Sequence, residues 1–551
     1  MPAANGAVPA MHHPVAPLRD APTARGRIWR RPPRRPAAAV HQGIPVRLPR
    51  DGFSGLLPSR AGALVALFTL VVGPVTYPAH AQTLAQDVSR LLDRPPFHRN
   101  HWGLVVTELD GRIVAARHAE QLFMPASNTK LLVSAAAAVL LPPGFTVRTS
   151  LYGGGPVTNG TLHGDLVLYG RGDPTLSRRC YAGDTAQAGV CQPDAAEPLR
   201  RLARGLRAAG VTTVAGDLVG DGSWFEPTLV HPAWEVYDLN WWYAAPVSGL
   251  GVYDNAVSVI HAGGLAPGAP AAIQVEPMVD GLVLDNRTRT VDDTARQTLD
   301  YSRVPGTLTI VAEGTVRRST RPTTQYFALP DPNYFTAAVF RRILAEEGIA
   351  VTGATRSTTD SLDTRALRQG APLAELESRP VEDWIFPVLN SSQNWFAEML
   401  LKQLGRVHRG EGSWAAGNDV VRRFLIDSVG VDSTQFRAVD GSGLSAQNLV
   451  TPRAFAEILR WMYRHPRYAA FAAAMPLSGD RGSLRNRFTG TPLAGLVRAK
   501  TGTISSVNTL SGYIERPGRP PLVFSIQANH HALPSAVVIR QIDSVVVRVG
   551  R

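Results

Sequence analysis

A chain of 551 residues, 44% hydrophobic and 18% charged, is long enough for two to four domains with sizeable cores and is globular rather than disordered as a whole. The formal net charge of +13 is uneven: residues 1–81 carry ten arginines against Asp20 and Asp51, which is +8, and leave +5 for the rest. A body this mildly basic, without a basic stripe interleaved with aromatics, gives no footing for a nucleic-acid partner.

Residues 1–60 are rich in Arg, Pro and Ala and have no hydrophobic period, so they are expected to be disordered. The apolar run Ala61 to Val72 follows Arg60 and precedes Gly73-Pro74. Ala79-His80-Ala81 then fits a small-x-small cleavage site, with Gln82 as the mature start. Twelve apolar residues are too few for a stable membrane anchor, so a secretory signal is expected, with an uncleaved anchor as the alternative. The leader before the run is unusually long, which leaves the translation start open. No later stretch approaches transmembrane length, and an exported, soluble protein is expected.

Leu84, Val88, Leu91 and Leu92 share one face of a short helix over 83–93. Gly103 to Ala116 reads as two strands joined at Asp110-Gly111. Pro125-Ala126-Ser127-Asn128-Thr129-Lys130 then opens a run of Ala, Leu and Val that predicts a buried helix stopped at Pro142-Pro143-Gly144. Ser127 stands where a helix cap is favoured.

From about Thr146 short strands separated by turn residues predict a β-rich region. Gly-Asp-Leu-Val occurs at 164–167 and again at 216–219, with a helical stretch from Pro198 to Ala209 between, which suggests a nested strand–helix–strand lobe near 171–238. The aromatic run Trp234 to Tyr243 is read as core or interdomain packing, with a substrate wall as the alternative. Helices return beyond Val381, and strands flank Lys500. The organisation expected is an α/β (α+β) domain formed by 82–147 and 381–551 and split by a β-rich insertion over 148–380, after a leader and signal over 1–81.

Cys180 and Cys191 are the only cysteines. In an exported protein they are expected to pair, and closing so short a loop contributes roughly 2–3 kcal/mol. Neither neighbourhood offers a second pair of metal ligands, and the fourteen histidines show no ligand spacing.

Of 57 basic residues only three are lysine: Lys130, Lys402 and Lys500. Arginine stays protonated in proteins, whereas a desolvated lysine can lose its proton and act as a base. Lys130 lies one helical turn from Ser127, so the two make a nucleophile–base pair. Lys500-Thr501-Gly502-Thr503 should lie on a strand. There Lys500 supplies positive charge, Thr501, Thr503 and Ser505 supply hydroxyls on or near one face, and Gly502 admits a ligand close to the backbone. Ser392-Gln393-Asn394 begins a helix; alone it reads as a cap, and with the other motifs as a proton relay and an amide that both donates and accepts. Lys402, ten residues beyond Ser392, reads as a solvated helix charge.

Together, Ser-x-x-Lys, Ser-x-Asn and Lys-Thr-Gly in this order resemble the serine penicillin-recognising superfamily. The interval of 265 positions from Ser127 to Ser392 exceeds that usual in class A β-lactamases. It resembles that of the class C low-molecular-mass penicillin-binding proteins, the D-Ala-D-Ala carboxypeptidase/endopeptidase family like penicillin-binding protein 4. Gly172-Asp173-Pro174-Thr175-Leu176, Asn394-Trp395-Phe396-Ala397-Glu398, Asp440-Gly441-Ser442-Gly443-Leu444-Ser445 and Pro476-Leu477-Ser478-Gly479 also fit. The likeness runs from about residue 85 to the end.

The resemblance implies a β-lactamase/transpeptidase-like catalytic domain, an antiparallel sheet flanked by helices, that acts on peptidoglycan stem peptides and binds β-lactams covalently, without cofactor or metal. Ser127 would be acylated with Lys130 as base. Ser392 and Asn394 would relay the proton and hold the substrate amide, and Lys500 would meet the terminal carboxylate in a site lined by Thr501, Thr503 and Ser505. Backbone N–H groups of Ser127 and Thr503 would form the oxyanion hole. Asp221 aligns with a family aspartate that meets the free amino end of the stem, or serves as a turn residue. Gln393 replaces a frequent Asp and should point away from substrate; Ala446 replaces a frequent arginine that reads the stem. The implied location is the periplasm or cell-envelope exterior, with peripheral membrane or cell-wall association as a further expectation. A β-lactamase or esterase on the same scaffold, and a cell-wall-binding protein with a vestigial site, are the alternatives.

Overall fold

Residues near both ends of the chain build one sheet. A computed structural model describes residues 79–179, 194–304, 307–480 and 482–551. Among these, helix α1 (Ala79–Asp93) leads into strands β1 (His101–Thr107) and β2 (Ile113–Arg117), the hairpin expected around Asp110-Gly111. The other three strands come almost 400 residues later: β3 (Val497–Ile504), β4 (Val507–Arg516) and β5 (Arg519–Asn529). Sheet order is β2-β1-β5-β4-β3, antiparallel throughout, with Leu104 opposite Ile526 and Lys500 opposite Ser511.

Alternating side chains give the sheet two buried faces. Leu104, Val106, Leu510 and Ile526 pack under α1 and the last helix, α5 (Ser535–Val549), through Leu84, Val88, Leu92, Val538, Ile542 and Val545. Val105, Tyr513 and Val523 face the opposite way, into a helical layer. That layer holds α2 (Thr129–Leu140), α3 (Val381–Asn390) and α4 (Asn394–Arg409). The Ala/Leu/Val run of α2 is buried from Thr129 to Ala137, which suits a helix surrounded by other helices rather than lying on a surface.

Between α2 and α3 the chain forms its own sheets. In a five-stranded one, Leu166–Gly170 pairs in parallel with Leu218–Asp221, so the two Gly-Asp-Leu-Val copies lie side by side, with helix Glu197–Ala208 between them in sequence. Arg356 bridges the aspartates of both copies, Asp165 at 3.0 Å and Asp217 at 3.4 Å. Two three-stranded sheets follow, centred on Ala256–Ala262 and Thr309–Arg317. No described helix is long and apolar enough to cross a membrane. The expected leader, the apolar run of the signal and the Cys180–Cys191 pairing lie outside the described residues, whereas the small-x-small stretch Ala79-His80-Ala81 forms the first turn of α1, which extends the helix expected over 83–93.

Candidate active site

Three distant segments converge on Ser127. Ser127 lies in a 3-10 turn, Ala126–Asn128, that leads into α2. It is not the cap expected from sequence: the turn carries no side-chain cap bond, and the hydroxyl faces Lys130 instead. Ala126 has φ +47°, an uncommon conformation for a residue with a side chain, and the turn is held from outside. Asn128 Nδ2 donates to Ser511 Oγ on β4 at 2.7 Å, and Thr509 Oγ1 donates to the Pro125 carbonyl at 2.8 Å. Gly502 on β3 abuts the same turn; a Cβ there would stand 2.8 Å from Pro125 O and 3.1 Å from Ser127 N.

Lys130 is fully buried and has three partners: Ser127 Oγ at 2.8 Å, Asn394 Oδ1 at 2.7 Å and the Ser442 carbonyl at 2.7 Å. The Asn394 amide is oriented by its own donation, Nδ2 to the Tyr243 carbonyl at 2.7 Å. Two of the lysine's partners therefore only accept. A neutral amine has two N–H bonds and one lone pair, so with both N–H bonds spent on Asn394 and Ser442 the lone pair is aimed at the Ser127 hydroxyl. Burial lowers the lysine's pKa to about 7, against the opposing pull of Glu398 and Asp440.

Those two acids also build the loop that carries Ser442. Glu398 accepts from Gly441 N at 2.9 Å, Ser442 N at 2.8 Å and Trp414 Nε1 at 2.8 Å. Asp440 accepts from Gly443 N, Ser445 N and Asn448 Nδ2, all at 2.8 Å, and from Trp234 Nε1 at 3.0 Å. Burial, then the charge of Asp440, raises the Glu398 pKa to about 7. Gly443, at φ +79°, lets the loop close on the Ser127 turn, because a Cβ there would fall 1.9 Å from Ala126 O.

Lys500 is the second buried amine. It donates to Ser392 Oγ at 2.8 Å and to the Thr501 carbonyl at 2.7 Å. Burial, helped by the charge of Lys130, holds its pKa well below the usual lysine value. Ser392 itself has φ +63°, after a turn in which Gln393 N donates to Pro387 O at 3.0 Å. Thr501 donates to Ser483 Oγ at 2.9 Å, and the exposed Thr503 accepts from Asn508 Nδ2 at 3.0 Å. Ser505 is past the end of β3, in the exposed β3–β4 turn, and so is off the strand that carries Thr501 and Thr503.

Asp221 fits the turn reading of the two expected for it, and Lys402 departs from expectation. Asp221 is fully buried at a strand end within the insertion, where its carboxylate accepts from Ser223 N at 2.8 Å and Thr364 Oγ1 and pairs with Arg368 at 3.3 Å. These partners commit it to holding the insertion together rather than to a ligand. Lys402 is no solvated charge: it is buried over the Trp414 ring at 3.4 Å and paired with Glu226 at 3.0 Å. Desolvation lowers its pKa to about 8 although Glu226 opposes the shift.

Ser442, Glu398 and Asp440 have no role predicted from sequence, although all three lie in motif-like phrases, and the same holds for Asp238. This half-buried carboxylate accepts from Tyr243 Oη at 3.0 Å, one tyrosine's length from the carbonyl that holds Asn394, and has no cationic partner among the described residues. Its place in the aromatic run was the available signal. Among the described residues no group of three His, Cys, Asp or Glu is placed to hold a metal.

Over residues 84–549 the sequence matches the D-Ala-D-Ala carboxypeptidase 3 (S13) family. The chain belongs to this family. It is 31% identical over 529 residues to a D-alanyl-D-alanine carboxypeptidase of an Actinomadura species, covering 92% of this chain and 93% of that one. It is 24% identical over 437 residues to the D-alanyl-D-alanine carboxypeptidase DacB of Haemophilus influenzae, covering 78% and 85%. Penicillin binding protein 4 of Haemophilus influenzae superimposes with a TM-score of 0.71 at 23% identity, over 85% of this chain and 97% of that one. The same protein complexed with a β-lactam gives 0.66 at 22% identity, over 84% and 98%. The S13 enzyme described here is thus a serine-type D-Ala-D-Ala carboxypeptidase, a D,D-peptidase of peptidoglycan.

Proposed function

We propose that Ser127 is the acylated residue, with Lys130 as its base. The observation that carries this is the lysine's partner set, two pure acceptors and the Ser127 hydroxyl, which leaves a neutral amine one direction for its lone pair. Lys130 takes the hydroxyl proton as Oγ bonds to the carbonyl carbon of the penultimate D-alanine. The oxyanion is met by backbone N–H groups of Ser127 and Thr503, which the close approach at Gly502 supports. The proton passes through Ser392 to the nitrogen of the departing D-alanine as the peptide bond breaks. Water then repeats the sequence on the acyl-enzyme.

Lys500, beside Ser392, meets the terminal carboxylate, with Thr501 and Thr503 along the strand edge. Asp238 replaces Asp221 as the carboxylate placed to meet an amino group of the stem. A β-lactam acylates the same serine; the related protein complexed with a β-lactam supports this. The enzyme works outside the cytoplasm, in the periplasm or on the envelope, a reading supported by the apolar run and small-x-small site ahead of Gln82. The mass of the protein recovered from an expressing host's periplasm tests that start.

Mass analysis of products from a pentapeptide stem and from a cross-linked muropeptide tests the substrate. Loss of a single D-alanine marks carboxypeptidase action, and separation of the cross-linked stems marks endopeptidase action. Release of no D-alanine and no separated stem would overturn the reading.

A further inference from the structure

The insertion lies between Ser127 and Ser392, which are 265 positions apart, yet one of its segments, 243–255, holds the start of α4. Asn394 Nδ2 donates to the Tyr243 carbonyl at 2.7 Å, and Trp395 Nε1 donates to the Pro246 carbonyl at 3.2 Å. The Trp395 ring packs where a Cβ on Gly251 would come within 2.6 Å of it. Gln393, fully buried, caps the helix by accepting from Trp395 N at 3.1 Å, which fixes its amide orientation and sends Nε2 to Asp254 Oδ2 at 2.8 Å.

Asp254 is built for this contact. Its Oδ1 accepts from Ser177 Oγ at 2.6 Å, and its Oδ2 accepts from Arg179 Nε at 2.6 Å as well as from Gln393. It is the middle of three successive non-glycine residues in the left-handed region: Tyr253, Asp254 and Asn255, at φ +55°, +56° and +51°. Such a run persists only where its surroundings over-determine it. Here Asn255 Nδ2 donates to the Leu329 carbonyl at 3.0 Å from a fully buried position. On the receiving side Ser392, next to Gln393, is itself left-handed at φ +63°.

We infer that Asp254 is a positioning residue for acylation: through Gln393 it holds Ser392 in its left-handed conformation, with its hydroxyl against Lys500. The inserted region thereby completes the proton relay. This rests on the reading of Ser392 as that relay. The carboxylate lies on the insertion and the amide on the motif.

The test uses the full chain, with D-alanine release from a pentapeptide stem and acylation by penicillin as readouts. Asp254→Asn should lower kcat and the acylation rate about ten-fold or more, because a displaced relay costs orientation, with little change in KM. Gln393→Met removes the same bond, together with the cap on Trp395 N, while leaving Ser177 and Arg179 in place. It should show the same kcat loss, which keeps the inference testable if Asp254→Asn does not fold. Gln393→Glu alone should be slow, since two carboxylates then face each other. Combined with Asp254→Asn it restores a carboxylate–amide pair and should recover most of the rate. Wild-type kcat in Asp254→Asn or Gln393→Met, or no recovery in the reversed pair, would overturn the inference. Ser392→Ala separates the two readings: if it keeps wild-type kcat the relay itself is wrong, and if it alone is slow only the role of Asp254 fails.

Discussion

Asn394 accepts from Lys130 at 2.7 Å through the oxygen of an amide whose nitrogen is already committed to the Tyr243 carbonyl. This orients the lysine: with Ser442 it takes both N–H bonds of the neutral amine and leaves the lone pair for Ser127. Acylation should therefore require the neutral lysine.

The acylation rate should rise with pH along a limb whose midpoint lies near the Lys130 pKa of about 7. Below it the amine is cationic and has no lone pair; above it the base is present. Glu398→Gln removes a charge that favours the cation, so the limb should move to lower pH. Lys130→Arg, which cannot give up its proton, should cost about 10²–10⁴-fold in acylation. Stopped-flow acylation by a chromogenic β-lactam across pH measures all three. A limb that does not move in Glu398→Gln would separate the lysine from its acids.

Lys500 should change protonation when a ligand arrives. Burial and Lys130 hold its pKa well below normal in the free enzyme, and a substrate carboxylate beside it would raise it again. Binding of a stem-like carboxylate to Ser127→Ala should take up protons, most strongly at alkaline pH where free Lys500 is neutral. Calorimetry in two buffers of different ionisation enthalpy reads the number. Lys500→Arg should keep part of the activity, since charge rather than basicity is required here.

Lys402 and Glu226 make a buried pair of unequal dependence, because the lysine is wholly buried and the carboxylate partly exposed. Glu226→Ala should destabilise the protein by about 3 kcal/mol, leaving a buried ammonium uncompensated. Lys402→Met, which keeps the stem over Trp414 and removes the charge, should cost less. Chemical denaturation of both variants compares them directly.

Much of the site was legible because motif chemistry is local. Ser127 and Lys130 are one turn apart, Ser392 and Asn394 flank a helix start, and Lys500 to Thr503 alternate on a strand. Lysine scarcity added weight, since arginine cannot serve as a base. The hairpin at Asp110-Gly111 and the buried Ala/Leu/Val helix followed from turn chemistry and composition. Other features depend on partners distant in sequence. Lys402 looks like any polar position on an amphipathic helix until Glu226 and Trp414 are brought to it. Asp221 sits in a plausible turn, and only Thr364 and Arg368, more than 140 residues on, show that it is occupied. Ser442 acts through a backbone carbonyl, which no side-chain pattern encodes. Asp254 could not be paired with Gln393 without the fold.

The central claim is that Ser127 alone is acylated. Intact-mass analysis after incubation with penicillin should show one covalent adduct on the wild-type enzyme, mapping to the peptide that contains Ser127, and none on Ser127→Ala. An adduct on another residue, or one that persists in Ser127→Ala, would contradict it.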